Sequence, residues 1–503
     1  MQENMQDNIT VSDYSEGMAL GYKLSGKPHI ALRSLYFAWL ILAMVISYAI
    51  LSRYDGSSWD LHTKSAIIWG TVIMIVHMIY RFCVRPFNAL APDIVFVLAY
   101  FLFHFGYLIL WVFDIVPDIE RIFYAPSLYP NVIFIVNIGI LSYFFGYEAA
   151  QSAKHDESMV VIKSVPPNIW MHLGILIMLM SLLIHVSYIL VIGVDKFLTE
   201  GYRIAGYIDR YVSDARLWRL GTQIFIFGFA LYIIAVSMIY GRLFHGKIGL
   251  MVFSIYAGLL LMEGQRTPVA ILFMVFIVVR HYLIKPFKLR TLILLFFLLM
   301  AGFALIRITR EVTSFDISKM TQEIEYASES GEIHWYDPMV EMGASVRAIN
   351  LTMSVVPDPF PYWYGKTYLN SLLHTIPFVQ GALEARLGMT PAKWLTRVVF
   401  GPEGSSAGVG FSVAAEGYFN FGYPGVFLQM FLLGFIMRKM YIKFICSCSP
   451  SIALVFIMSL GIFIISVRND SNVVIAPILQ ALLLAWILKN IFGQTEIMHQ
   501  VDE

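Results

Sequence analysis

Long apolar runs, each close to the length of a bilayer crossing, recur along this chain between short polar connections. A helix needs about 20 mostly apolar residues to cross about 30 Å of hydrocarbon. Twelve runs fit: 34–52, 65–80, 93–113, 130–148, 170–193, 219–240, 247–262, 268–284, 290–307, 424–442, 451–467 and 473–491. The pattern predicts an all-α polytopic membrane protein with about twelve transmembrane helices. Several runs are short and require tilt or extension into their flanks. Two segments break the rhythm. Residues 194–218 are rich in Asp and Arg, and residues 308–410 form one long loop. Within the loop, VEMGASVRAINLTMSVV (340–356) has the spacing of an amphipathic helix, and PYWYGKTYLNSLLHTIPFV (361–379) mixes aromatics with turn residues. Loops this long are usually functional or disordered, and the aromatic content argues against disorder. The expectation is a folded external cap with an aromatic underside lying on the bilayer. The predicted organisation is a polar tail (1–30), nine spans with a short external amphipathic segment at 194–218 (31–307), the large helical loop (308–410), a re-entrant lip with three further spans (411–492), and a second tail (493–503).

Composition agrees. The chain is 58% hydrophobic and 14% charged, where soluble domains average about 45–50% and about 25%. The net charge of +1 implies no strongly acidic or basic partner and argues against nucleic acid. The lipid bilayer is the partner that composition demands. Positive charge sets the orientation. With the N-terminus inside, the inner connections carry Arg81, Arg85, Lys154, Lys163, Arg242, Lys247, Lys285, Lys288, Arg290, Arg438, Lys439 and Lys443. The short outer ones carry only Arg53, Lys64, Arg121, Arg266 and Arg468, beside several acids. Both termini are therefore expected inside and the long loop outside. Cys83, Cys446 and Cys448 make no disulfide framework and fall at inner span ends, where thiols stay reduced. The first apolar run is a full span rather than a signal-peptide core, and no repeat of 20–50 residues is visible.

Charges at membrane depth or at the outer lip are costly and point to function. Four groups qualify, all outside. EGQRTP (263–268) holds Glu263 and Arg266. It reads either as an exposed turn closed by a salt bridge or as an arginine aimed at an anion, because the guanidinium fork matches two phosphate oxygens. VRND (467–470) holds Arg468 and Asp470, and the plain alternative there is a snorkelling arginine at a helix end. TEGYRIAGYIDRYVSDARLWR (199–219) alternates Arg203, Arg210, Arg216 and Arg219 with tyrosines and aspartates. It is a solvated interfacial face or a basic aromatic surface for a sugar–phosphate. GFSVAAEGYFNFGYPGV (410–426) sets Ser412, Glu416 and Asn420 on one helix face and then breaks at Gly422, Pro424 and Gly425. Before it, EGSSAGVG (403–410), with Gly408 and Gly410, has the small flexible composition of an anion-binding nest. The alternatives are a helix cap with polar packing, or a general base at Glu416. His334 and His374 are single loop histidines, a pattern more common for satisfied residues than for bases. No HExxH, P-loop, dinucleotide or paired CxxC pattern occurs, so neither a metal nor a cofactor is expected. Asp-x-Asp, the usual metal motif of nucleotide-sugar transferases, is absent, which favours a lipid-linked donor.

These stretches resemble the bacterial O-antigen and capsule repeat-unit polymerases of the Wzy type. EGQRTP, WYGKTYLNSLLHTIP (363–377), GVGFSVAAEGYFNFGYPG (408–425) and the arginine of VRND carry the likeness, which covers most of 195–470. It implies a GT-C-like helical fold in the bacterial cytoplasmic (inner) membrane with its active site facing the periplasm. The implied substrate is an oligosaccharide on undecaprenyl pyrophosphate. The growing glycan would pass from its carrier to a new lipid-linked unit by a metal-independent, inverting displacement. Arg266 and Arg468 would stabilise the departing pyrophosphate, with Arg203, Arg210 and Arg347 as further contacts. Glu416 would deprotonate the acceptor hydroxyl, or orient it together with Asn420. Tyr418 and Tyr368 would hold sugar rings, and His374, Gly408, Gly410 and Asp470 complete the expected substrate contacts. An O-antigen ligase would share this architecture but rely on His334 or His374. A flippase would show two related halves and charges deep in mid-span, and neither is visible. Whether a chain-length regulator protein binds is left open.

Overall fold

The computed structural model describes residues 30–54, 59–84, 88–116, 125–150, 160–197, 215–263, 265–309, 334, 336–376, 388–401, 408–446 and 449–498. All twelve apolar runs are helical. They are α1 (Ile30–Ser52), α2 (Trp59–Val84), α3 (Pro92–Val112), α4 (Tyr129–Ala149), α5 (Pro167–Ile192), α6 (Ala215–Tyr240), α7 (Gly246–Met262), α8 (Arg266–Val279), α9 (Leu289–Thr309), and later α14 (Val413–Ile445), α15 (Pro450–Ser466) and α16 (Ser471–Phe492). Among the described residues nine helices are long and apolar enough to cross a membrane, and three shorter apolar ones accompany them. Proline opens α3, α4, α5 and α15, where its missing N–H has no helical partner to lose.

The bundle is graded from centre to edge. α4 is mostly apolar on every face and almost wholly buried, as suits a central helix; Asn137 and Glu148 are among its buried polar groups. α1 fully buries only the stripe Tyr36, Leu40, Ala43 and Ser47 and leaves Leu35, Ile41, Leu42, Val45 and Tyr48 exposed on the outside of the bundle. Close contacts use small residues, which let backbones touch. In α5 and α6 a β-carbon on Gly174 would stand 2.8 Å from the Gly228 carbonyl oxygen.

The loop between α9 and α14 supplies α10 (Asp337–Gly343), α11 (Arg347–Val355), α12 (Lys366–Leu373) and α13 (Pro391–Phe400). The amphipathic helix expected over 340–356 is present but is broken by a 3-10 turn at Ala344–Val346. Two short strands were not foreseen. β1 (Val160–Ser164) pairs antiparallel with β2 (Gln494–Met498), with Val160 opposite Met498. The segment after the last span is thus fastened to the α4–α5 connection, so both lie at one end of the bundle, opposite the long loop.

That opposite end also holds a buried charge cluster. Arg81 pairs with Asp93, whose Oδ2 is 3.2 Å from His77 Nε2. The Tyr80 hydroxyl donates to Glu148 (3.2 Å) and Arg438 donates to the Tyr147 hydroxyl (3.2 Å). Arg81 and Arg438 were read from sequence as connection charges; both are buried. They lie on the inner faces of α2 and α14, where carboxylates and tyrosine rings replace water as their partners.

Candidate active site

The site starts from a break in α14. Phe421 (φ −144°, ψ 18°) and Gly422 (φ 66°, ψ −150°) leave helical space and divide the element into 413–420 and 423–445. Gly422 adopts angles that only glycine takes without strain. In a straight helix, residues nine apart stand about 13 Å apart along the axis. Here a β-carbon on Gly417 would lie 2.7 Å from Val426 Cα. The short piece therefore folds back against the start of the long one, and the two glycines Gly417 and Gly425 make the approach possible.

A helix piece that ends in the protein leaves carbonyls without partners. The long loop supplies them. The Trp363 amide donates to the Phe419 carbonyl and the Tyr364 amide to the Asn420 carbonyl, both at 3.1 Å. The Asn420 side chain completes the joint. Its Oδ1 accepts from the Gly365 amide (2.9 Å), and its Nδ2 donates to Thr367 Oγ1 (2.7 Å) and to the Glu416 carbonyl (2.9 Å). At the other end, Ser412 caps the piece by accepting from the Ala414 amide (3.3 Å) and stands 2.8 Å from His104 Nε2. His104 belongs to a π-turn, Phe101–Phe105, inside α3.

Glu416 is fully buried between these ends. Its Oε2 accepts the Ser471 amide (2.8 Å) and its Oε1 the Ser471 hydroxyl (2.6 Å). It thus satisfies a free amide at the start of α16 and sits at the positive end of that helix. Ser471 Oγ is 2.6 Å from Ser371 Oγ on α12. On the other side the Tyr368 hydroxyl donates to Gln429 Oε1 (2.8 Å), and Gln429 Nε2 reaches Glu416 Oε2 at 3.5 Å. Asp470 caps α16, accepting from the Asn472 amide (3.1 Å) and from the Ala392 amide of α13 (3.2 Å). Burial pushes the Asp470 carboxyl above the ordinary aspartate value, against the pull of these amides and of His374. The result is a closed polar centre with two carboxyl groups and a chain of hydroxyls.

The predicted residues divide clearly. Glu416, Asn420, Tyr368, His374 and Asp470 meet in this centre. Arg468 and Gly410 adjoin it: the Phe411 amide donates to the Arg468 carbonyl (3.3 Å), and the exposed Arg468 side chain brings Nε to 3.9 Å from the β position of Gly410. Gly408 lies beside α13, where the next amide, Val409, donates to Thr396 Oγ1 (3.2 Å). Tyr418 is set to one side, its hydroxyl 3.5 Å from the Val356 carbonyl and its ring against Tyr362 and Tyr423. Arg347 stands at the far end of α11 from that contact, with a buried Nε that has no hydrogen-bond partner among the described residues. Arg266 is the first residue of α8, and its side chain lies outside the described residues, as do Arg203 and Arg210 altogether. The backbone still places it. Gly461 of α15 packs against Ile271 and Val275, and Phe456 nearer its start packs against Tyr282 just past the end of α8, so the end of α15 that leads to Arg468 runs toward the start of α8. Glu263, read as closing an exposed turn, is buried and faces His185 Nε2 at 3.1 Å.

Several members of the centre were not singled out from sequence. Thr367 and Ser371 are four residues apart on one helix face, a spacing that could have marked them. Asp-Ser-Asn at 470–472 is a helix-start signal. His104 is an ionisable residue inside an apolar span, which is itself a signal. Gln429 gave none.

A many-span helical bundle whose long loop seals a buried carboxylate centre at one end defines a polytopic membrane protein with one elaborated face. The sequence model of the O-antigen polysaccharide polymerase Wzy family matches residues 34–496, and the chain belongs to that family. It is also similar to Protein CapE of Staphylococcus aureus, at 25% identity over 154 residues, which is 31% of this chain and 30% of that relative. The chain thus covers under a third of that relative's length. No solved structure matches it.

Proposed function

We propose that the protein joins lipid-linked oligosaccharide units into O-antigen, capsular or exopolysaccharide chains, and that the centre around Glu416 is where it does so. The observation that carries this reading is the docking of 363–367 onto 419–420. A loop segment and the end of a helix piece are held together around a buried carboxylate, at the loop end of the bundle. In this reading that end faces the periplasm, both termini are inside, and donor and acceptor are both carried by undecaprenyl pyrophosphate. Arg468, exposed beside Gly410, and Arg266, at the neighbouring helix start, hold the pyrophosphate as its bond to the sugar breaks, with Arg203, Arg210 and Arg347 as outer contacts. The acceptor hydroxyl attacks the anomeric carbon from the opposite side and inverts it. Its proton moves toward Glu416 through Ser371 and Ser471, whose hydroxyls already form a line to the carboxylate. Tyr368 and Tyr418 border the sugars. The arginines supply the positive charge that a metal would otherwise bring.

A second reading of Glu416 is favoured by its own contacts. A carboxylate holding the start of α16 to α14 is a keystone whether or not it takes a proton. The two readings part in one experiment. Purified protein is given its lipid-linked repeat unit, with chelator present, and the products are separated by size. A ladder of multiples with release of undecaprenyl pyrophosphate is expected. Arg468→Ala should slow its growth about 10²–10³-fold while the protein still assembles. Glu416→Gln should slow it about 10²–10⁴-fold with thermal stability kept. If instead Glu416→Gln unfolds readily but turns over normally once folded, the keystone role stands and the base is another group. A unit that stays single but is passed to lipid A core would move the chain to ligation.

A further inference from the structure

The amphipathicity of α12 is inside out. Thr367, Asn370, Ser371 and His374 are buried against the centre, while Leu369, Leu372 and Ile376 are 49%, 50% and 52% exposed. Leu369 and Leu372 share one face of α12, and Ile376 follows three residues past its end. A helix on a water-facing cap would do the reverse, since a contiguous apolar stripe in water marks a contact surface. In hydrocarbon the arrangement is the required one, because polar groups there must find partners within the protein.

Contacts along α16 give the depth. Ser371 meets Ser471, the first residue of α16, and two residues after α12 the Thr375 carbonyl accepts from Gln480 Nε2 at 3.3 Å. Gln480 is nine residues further along α16, about 13 Å at helical rise, part of which the long glutamine side chain spans. α12 therefore runs down beside the last span. The exposure of α16 changes accordingly. None of residues 471–480 is exposed, whereas Leu482, Leu483 and Trp486 below them are. Over the upper half of α16, α12 takes the outer position. Its approach is ordered in the same sense. Tyr364 and Lys366, both exposed, come first, as interfacial residues do, and Leu369, Leu372 and Ile376 follow.

We infer that α12 is a half-span inserted in the bilayer, and that Leu369, Leu372 and Ile376 contact lipid acyl chains. The occupant follows from continuity, since the stripe ends where the lipid-facing surface of α16 begins. This replaces the surface-lying cap expected from sequence, and it stands whatever chemical role Glu416 has.

The test uses the full chain with Cys83, Cys446 and Cys448 changed to Ser. Single cysteines are placed by Tyr364→Cys, Leu369→Cys, Leu372→Cys and Ile376→Cys. Each is spin-labelled and reconstituted in phosphatidylethanolamine–phosphatidylglycerol vesicles. Collision with oxygen, which concentrates in hydrocarbon, is compared with collision with a water-soluble nickel chelate. The expected result is an oxygen-to-nickel ratio that rises from Tyr364→Cys to Ile376→Cys, with Leu372→Cys unreactive to a membrane-impermeant maleimide. Nickel collision at 372 and 376 as strong as at 364 would place the helix in water and overturn the inference. So would labels shielded from both reagents that become accessible in nanodiscs holding one copy, since a second chain would then be the occupant. Leu369→Cys gives an independent depth should a deeper variant fail to assemble.

Discussion

Asp470 gives one carboxyl oxygen to the start of α16 and the other to α13, and it does so away from water with Glu416 close by. Its folded pKa is raised by burial. The folded protein therefore holds this proton more tightly than the unfolded chain does. The site favours folding most below the unfolded pKa, and that contribution is lost as pH rises through the folded one. Asp470→Asn removes the charge and keeps a good N-cap. Thermal unfolding of the two proteins, followed from about pH 5 to about pH 8, should show the difference moving in favour of Asp470→Asn as pH rises. Asp470→Ala loses the cap as well and should lie about 1 kcal/mol below Asp470→Asn across the whole range. A flat difference between Asp470→Asn and wild type would mean that the carboxyl is not desolvated.

The break in α14 is the element on which the centre depends. Gly422→Ala forces a side chain into backbone angles that cost about 1–3 kcal/mol, and it crowds the Tyr362 hydroxyl, 3.1 Å from the β position. The expected outcome is a fall in thermal stability of that size together with weaker protection of the Trp363 and Tyr364 amides in hydrogen exchange. Normal protection would show that the loop docks without the fold-back. The break itself was readable, because Gly422, Pro424 and Gly425 interrupt an apolar run. Its partner was not, because the joint is made by main-chain carbonyls of Phe419 and Asn420, which no side-chain pattern records. The same limit hid α12. Hydropathy averages over a window, and one apolar stripe beside Thr367, Asn370 and Ser371 averages to a loop.

At the scale of the molecule, the two ends of the bundle are built differently. The centre at the loop end buries the Glu416 and Asp470 carboxyl groups among hydroxyls and amides. The opposite end buries arginines with carboxylates across α2, α3, α4 and α14. Asp93→Leu leaves Arg81 without its ion-pair partner and should cost about 3–5 kcal/mol, read as loss of thermal stability in detergent. Adding Arg81→Met should recover part of that loss, and simple additivity would show that the two do not act as a pair. The twelve helices were legible because lipid demands long apolar runs. The cluster was not, because Arg81 and Arg438 stand at run ends, where a connection charge and an inward-facing one look alike. The capped joint at Asn420 has a practical bearing on exchanging parts between members of this family. Loop and lip are one piece divided along the chain, so a chimera with a crossover between 376 and 410 would seat a foreign cap on the wrong helix end. Residues 357–426 should be transplanted as a single block, with Asp470 and Ser471 matched to it.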